Sequence, residues 1–150
     1  MLKHAAKWPV TLALLLLALA GFQTTFAADK PFAEKKVVLQ ISDPNPFKQT
    51  LVLNVAGNIL KEYGPDNVAI EIVAFGPGVR LLFADNANKQ RIQTLADNGG
   101  VTFHACSNTI ANMAKQLGHT PEINPIAGQA GPGVVRILDL VAQGYVLVKP

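Results

Sequence analysis

The feature that most constrains this chain is a repeated alternation: short apolar runs of β character trade places with segments of helical spacing, and Gly, Pro or Asn marks each handover. The run 36–41 (KVVLQI) reads as a buried strand, and the turn 42–46 (SDPNP) places Asn45 to cap a helix with Pro46 at its first position. That helix carries Phe47, Leu51, Val55 and Ile59 on one face, and Gly64 and Pro65 stop it. A second run, 68–75 (VAIEIVAF), ends in Gly76, Pro77 and Gly78, followed by a short apolar turn over 79–83. A helix over 89–98 is expected to turn Ile92, Leu95 and Ala96 inward, and Gly99 and Gly100 close it. The third strand is 101–105 (VTFHA), and the helix after it has Ile110, Met113, Ala114 and Leu117 at buried-face spacing, with Gly118 as cap. A last helix, 134–142, with Val134, Ile137, Leu138 and Val141 inward, leads through Gly144 to a strand over 145–149. There is no internal repeat.

Strands that alternate with helices form a mainly parallel sheet flanked by helices, joined by right-handed crossovers. The expected fold class is therefore α/β, in a single domain over residues 28–150. Such a topology gathers every strand-to-helix loop at the carboxyl edge of the sheet, where open α/β sheets bind ligands. Asp43 to Asn45, Gly76 to Arg80 and Cys106 to Asn108 belong to that edge. The stretch 119–133 has no clear periodicity and is rich in Gly and Pro, as suits a lid or an interface arm.

Residues 1–27 read as a signal peptide. Lys3 and Lys7 precede an apolar run over 9–20, and the polar, small-residue exit 21–27 (GFQTTFA) sets cleavage after Ala27. The run is shorter than the ~20 residues of a membrane span, and no cysteine follows it closely to accept a lipid. The expected location is periplasmic or secreted, with no stable membrane insertion after cleavage. The chain has thirteen Lys and Arg against ten Asp and Glu. Without Lys3 and Lys7 that becomes eleven against ten, a near-balance that argues against a nucleic-acid partner.

Cys106 is the only cysteine. In an oxidising compartment a lone thiol is shielded, paired with another chain, or chemically used. It stands where a strand hands over to a helix, and backbone donors at a helix start stabilise a thiolate. On the strand, Thr102, His104 and Cys106 share one face. His104 is more simply a strand histidine bonded to a neighbour, or an interface residue, than a catalytic base, since a Cys–His hydrolase needs a third, orienting group that the sequence does not show. The spacing of His104, Cys106 and His119 matches no recognised zinc pattern, and the residues point to neither a metal nor a cofactor. Gly76 to Gly78 and Gly131 to Gly133 fit no phosphate-loop or dinucleotide fingerprint and read as turns. Arg80 is a candidate anion ligand or a solvated arginine, and Asp43 a supporting site residue or simply a turn residue.

Residues 36–39 (KVVL), 74–79 (AFGPGV), 100–109 (GVTFHACSNT) and 144–150 (GYVLVKP) together resemble the DsrE/DsrF-like proteins, most closely an uncharacterised branch with a Cys-x-Asn-Thr signature. The resemblance spans essentially the whole mature domain. It implies a DsrE-like, flavodoxin-like three-layer fold, with Cys106 as a persulfide carrier whose loop Asn108 and Thr109 shape. It also implies a homo-oligomer and a sulfur donor or acceptor, either a protein or a thiol. The familiar relay members act in the cytoplasm, whereas this chain carries an export signal. Two functions stay open: a sulfur carrier or sulfurtransferase-type relay using Cys106, and a non-catalytic oligomeric module that binds a small ligand or serves assembly.

Overall fold

The structure, a computed structural model, describes residue 30, residues 32–129 and residues 131–150. The expected signal peptide and its cleavage point lie outside the described residues. Two strands, β1 (Lys35–Ile41) and β2 (Val68–Ala74), pair in parallel from Lys35 against Val68 to Ile41 against Ala74. Between them runs α1 (Pro46–Tyr63), whose start follows the expected chemistry: Asn45 accepts the Phe47 N–H at 2.9 Å, and Pro46 occupies the first turn. A 3-10 helix (Gly76–Leu82) and α2 (Lys89–Gly99) follow β2 and lead to β3 (Thr102–Ala105). Then come α3 (Ser107–Leu117), α4 (Gly133–Ala142) and β4 (Val146–Val148). The four strands pair only in parallel and their order is β3-β2-β1-β4, so the protein is α/β, as the alternation implied.

The two faces of the sheet are covered unequally. The main core lies on the face of Leu39, Ile41, Ile70, Ile72 and Phe103, against Val52, Leu53 and Ala56 of α1 and Ile92 and Leu95 of α2. On the other face, α4 alone contributes a small second core, in which Ile137 and Leu140 meet Val38 and Val73. β2 lies inside the sheet and is buried at all seven positions. It contains one charge, Glu71.

Three helix faces differ from expectation. In α1 the buried residues are Gln49, Val52, Leu53 and Ala56; Val55 and Ile59 flank the core, whereas Phe47 and Leu51 are exposed. A stripe built in steps of four winds about 40° around the helix at each step, because a turn takes 3.6 residues. It therefore leaves the core at its N-terminal end. In α3 only Ile110 is buried, while Leu117 is exposed and Met113 and Ala114 are half-buried. This helix packs chiefly against the 3-10 helix. In α4 the inward residues are Gly133, Ile137 and Leu140, and Val134, Leu138 and Val141 face outward. Gly133 fixes that rotation: a Cβ there would lie 3.1 Å from Phe75 Cβ, 3.2 Å from Cys106 Cβ and 3.4 Å from Val73 Cγ1, so this helix start approaches the sheet more closely than a larger residue would.

The stretch 119–133 is an arm along the open side of β3. Gly128 accepts from the Ala105 N–H at 2.8 Å and donates to the Phe103 carbonyl at 2.9 Å, which closes the β3 edge. Further back, Asn124 donates to Leu82 and Ala84 donates to Glu122, pinning the arm to the end of the 3-10 helix. The arm then delivers Gly131 to Gly133 to the carboxyl end of the sheet.

Candidate functional site

Cys106 ends β3 and caps α3. Its N–H donates to the Ala74 carbonyl at 3.0 Å, and its own carbonyl accepts from the Ile110 N–H at 3.1 Å. The residue is 6% exposed, packed among the main core with Gly133 against its Cβ. The Thr109 hydroxyl and the backbone N–H groups of Gly133, Thr109 and Asn108 surround the sulfur and favour its anion, without closing a side-chain cap bond to it. Two helix starts, those of α3 and α4, thus converge on one atom. Burial pushes the Cys106 thiol up, but the hydrogen bonds, led by the Thr109 hydroxyl, outweigh it and hold the thiol below its ordinary value.

Thr109 links the loop after β2 to the thiol: its Oγ1 accepts the Gly76 N–H at 2.9 Å, and its hydroxyl favours the Cys106 thiolate. Gly76 is in turn held by its neighbours. The Phe75 N–H donates to the Ile41 carbonyl at 3.1 Å, and Gly78 sits so close to β1 that a Cβ would lie 2.5 Å from the Ile41 oxygen. The loop after β2 therefore reaches the thiol through one hydroxyl.

His104 serves the same site from below. It is buried, and its ring donates to the Gly131 carbonyl, which also accepts the Ser107 N–H at 3.1 Å. Among the described residues its Nε2 has no hydrogen-bond partner. Burial lowers the His104 pKa; Glu71 and the Gly131 carbonyl act in the opposite sense, and Arg136 adds to the lowering. The ring is accordingly neutral near pH 7. It supports the turn that presents Gly133 to Cys106. Beside it, Arg136 of α4 grips Glu71 of β2 in a two-pronged pair, with Nε and Nη2 each 2.7 Å from a carboxylate oxygen.

Of the residues expected at the site, Cys106, Thr109 and the Asn108 backbone come together, and His104 joins them through Gly131. The Asn108 side chain is exposed. Asp43 is engaged elsewhere: it accepts the Asn45 N–H at 2.9 Å and pairs with Lys48 at 2.7 Å, beside Lys149 and Pro150 at the β1–β4 end. The Lys48 hydrogen bond holds the Asp43 carboxyl below its ordinary value. Arg80 is exposed, and among the described residues no hydrogen bond or ion pair engages its guanidinium. Among the described residues, no three His, Cys, Asp or Glu side chains gather as a metal cradle. No helix among them is long and apolar enough to cross a membrane.

Sequence reasoning treated Gly131 and Gly133 as plain turn residues and passed over Glu71 and Arg136. The last two carry a readable signal. Each is the lone basic or acidic intruder in an otherwise apolar stretch, VAIEIVA and GVVRIL, and a buried charge needs a partner.

No protein-family model matches the chain, and no curated protein matches it. Among solved structures, a protein of unknown function from Methanobacterium thermoautotrophicum is similar: it has 25% sequence identity and a TM-score of 0.68, over 77% of this chain and 99% of that one. The likeness extends the α/β fold to a second small protein. It brings no activity with it.

Proposed function

We propose that this protein is an exported carrier of sulfane sulfur of the DsrE/DsrF type, delivered to the periplasm or the exterior with residues 1–27 removed. The observation that supports the reading best is the meeting of two helix starts at Cys106, which opens α3 while Gly133, the first residue of α4, lies against its Cβ; the groups around the sulfur hold its thiol below the ordinary value. Sulfur surrounded by donors is favoured as the anion, and the anion is the nucleophile. In the proposed step the Cys106 thiolate attacks the outer sulfur of a persulfide or polysulfide donor. A new S–S bond forms with the cysteine's electron pair, the donor's S–S bond breaks, and the donor leaves as a thiolate that takes a proton from water. Cys106 then holds a persulfide anion in the same nest of donors. With no second cysteine in the chain, release goes to an external thiolate or to a partner protein by the same exchange in reverse. No nucleic acid or cofactor enters this scheme.

A non-catalytic ligand-binding or assembly module is the alternative, favoured by the small exposure of Cys106. Intact-mass spectrometry of the exported protein after polysulfide treatment separates the two readings and also reads the N-terminus. The carrier gains about 32 Da per sulfur and starts near Ala28, and Cys106→Ser gains nothing. No mass gain on treatment of the folded wild type, or the same gain in the variant, would leave the module reading in place.

A further inference from the structure

We propose that His104 is the base that takes the proton from sulfur arriving on Cys106 and the acid that returns it when the sulfur leaves. The proposal rests on the carrier reading above and adds a second reacting group to it. His104 is only 5% exposed, and among the described residues its Nε2 has no hydrogen-bond partner. Such a group is rare in a folded interior, because a buried polar atom without a partner has lost its bonds to water and gained nothing in return. Its surroundings supply no donor. The other ring nitrogen donates to the Gly131 carbonyl, which makes Nε2 of the neutral ring a bare acceptor. Arg136, the cation beside it, has its Nε and Nη2 on the Glu71 carboxylate. The acceptor is therefore free for a donor that comes with the ligand.

Strand geometry points to that donor. Cys106 continues the extended backbone of β3, at φ −61° and ψ 115°, so its side chain leaves the same face of the strand as that of His104. The same turn touches both: Gly131 accepts from the ring, and Gly133 lies against the Cys106 Cβ. Two residues on one strand face start about 6.6 Å apart, a gap that the thiol leaves open. A second sulfur bonded to the first carries the reactive atom about 2 Å farther. A hydropersulfide ends in an S–H, the kind of donor that Nε2 lacks.

In the loading step the Cys106 thiolate attacks the outer sulfur of a hydropersulfide donor, R–S–S–H. The new S–S bond forms with the cysteine's electron pair, the donor's S–S bond breaks, and the donor departs as R–S⁻. The proton stays on the transferred sulfur until Nε2 takes it, which leaves a persulfide anion beside an imidazolium. An anionic outer sulfur repels an attacking thiolate, so the load is held. Once His104 returns the proton, an acceptor thiolate attacks that sulfur and Cys106 leaves as its own thiolate. In the unloaded protein, burial and the Arg136 charge from α4 keep the ring neutral, against the Glu71 charge from β2 and the Gly131 carbonyl. A new anion on Cys106 adds to the second side and favours the charged ring.

NMR titration of the histidine rings in the purified full chain tests the proposal, before and after treatment with cysteine hydropersulfide, with loading read as a gain of about 32 Da. Loading should raise the His104 midpoint by about one pH unit or more, with the exposed His119 as the internal reference. His104→Asn keeps an N–H for the Gly131 carbonyl and removes Nε2. The variant should take up the same sulfur and release it to excess glutathione at least about tenfold more slowly above neutral pH. That gap should close as pH falls and the solvent supplies the proton, a trend that a merely structural histidine would not produce. A loaded wild type whose His104 midpoint stays where it was, or a variant that releases sulfur at the wild-type rate at every pH, would overturn the proposal and leave the carrier reading standing. A wild type that takes up no sulfur would overturn both.

Discussion

Thr109 shows how much of a site's chemistry one hydroxyl can set. Its oxygen accepts the Gly76 N–H, and its hydroxyl is the foremost of the groups that favour the Cys106 thiolate. Thr109→Val keeps the shape and removes both bonds. Its expected effect is a shift of the pH–rate profile for Cys106 alkylation to higher pH, because the variant thiol loses the strongest of the bonds that favour its anion. Thr109→Ser restores the hydroxyl and should return the profile toward wild type. A purely structural role would instead lower stability and leave the midpoint of the profile in place. The residues flanking Cys106 were legible in the sequence because they are its chain neighbours. Gly133, beside Cys106, and Gly76, bonded to Thr109, became visible at the site only once the fold brought segments some thirty residues away to the same point.

At the scale of elements, α4 is held by a small core and by the Glu71–Arg136 pair. Arg136→Met leaves the Glu71 carboxylate buried without its partner, and loss of one member of a buried pair costs about 3–5 kcal/mol; the partial exposure of Arg136 places the expected loss near ~3 kcal/mol. The double replacement Glu71→Leu with Arg136→Met should recover most of this, because apolar residues of similar volume often match a buried ion pair. Urea denaturation of the three variants checks both statements. The element boundaries were readable from capping and stop residues such as Asn45, Pro46, Gly64 and Gly118, because these act within one turn of chain. The rotation of α4 was not. Val134, Leu138 and Val141 form as good a stripe as Gly133, Ile137 and Leu140, and only the close approach of Gly133 and the charge on Arg136 choose between them.

For the molecule as a whole, the pH dependence of stability should carry the mark of His104. Its folded pKa is lowered, chiefly by burial, so the unfolded chain takes up a proton near pH ~6.5 that the folded protein still refuses. Stability is therefore fully present above that value and declines as pH falls from ~6.5 toward the folded pKa. Thermal melts of wild type and His104→Asn between about pH 7.5 and pH 5 should show the steeper decline in wild type; equal slopes would assign the decline to other groups. The parallel sheet itself was legible from alternation alone, but the position of each strand within it was not, because periodicity says nothing about which strands become neighbours. The strand order has a kinetic consequence. Among the described strands β1 comes first and takes an inner place in the sheet, with β2 on one side and β4, the last of them, on the other. That place is complete only when β4, far along the chain from β1, pairs with it, and the loop to be closed is long. The sheet thus keeps an inner edge open until late in folding, and closing it is the slow, non-local step.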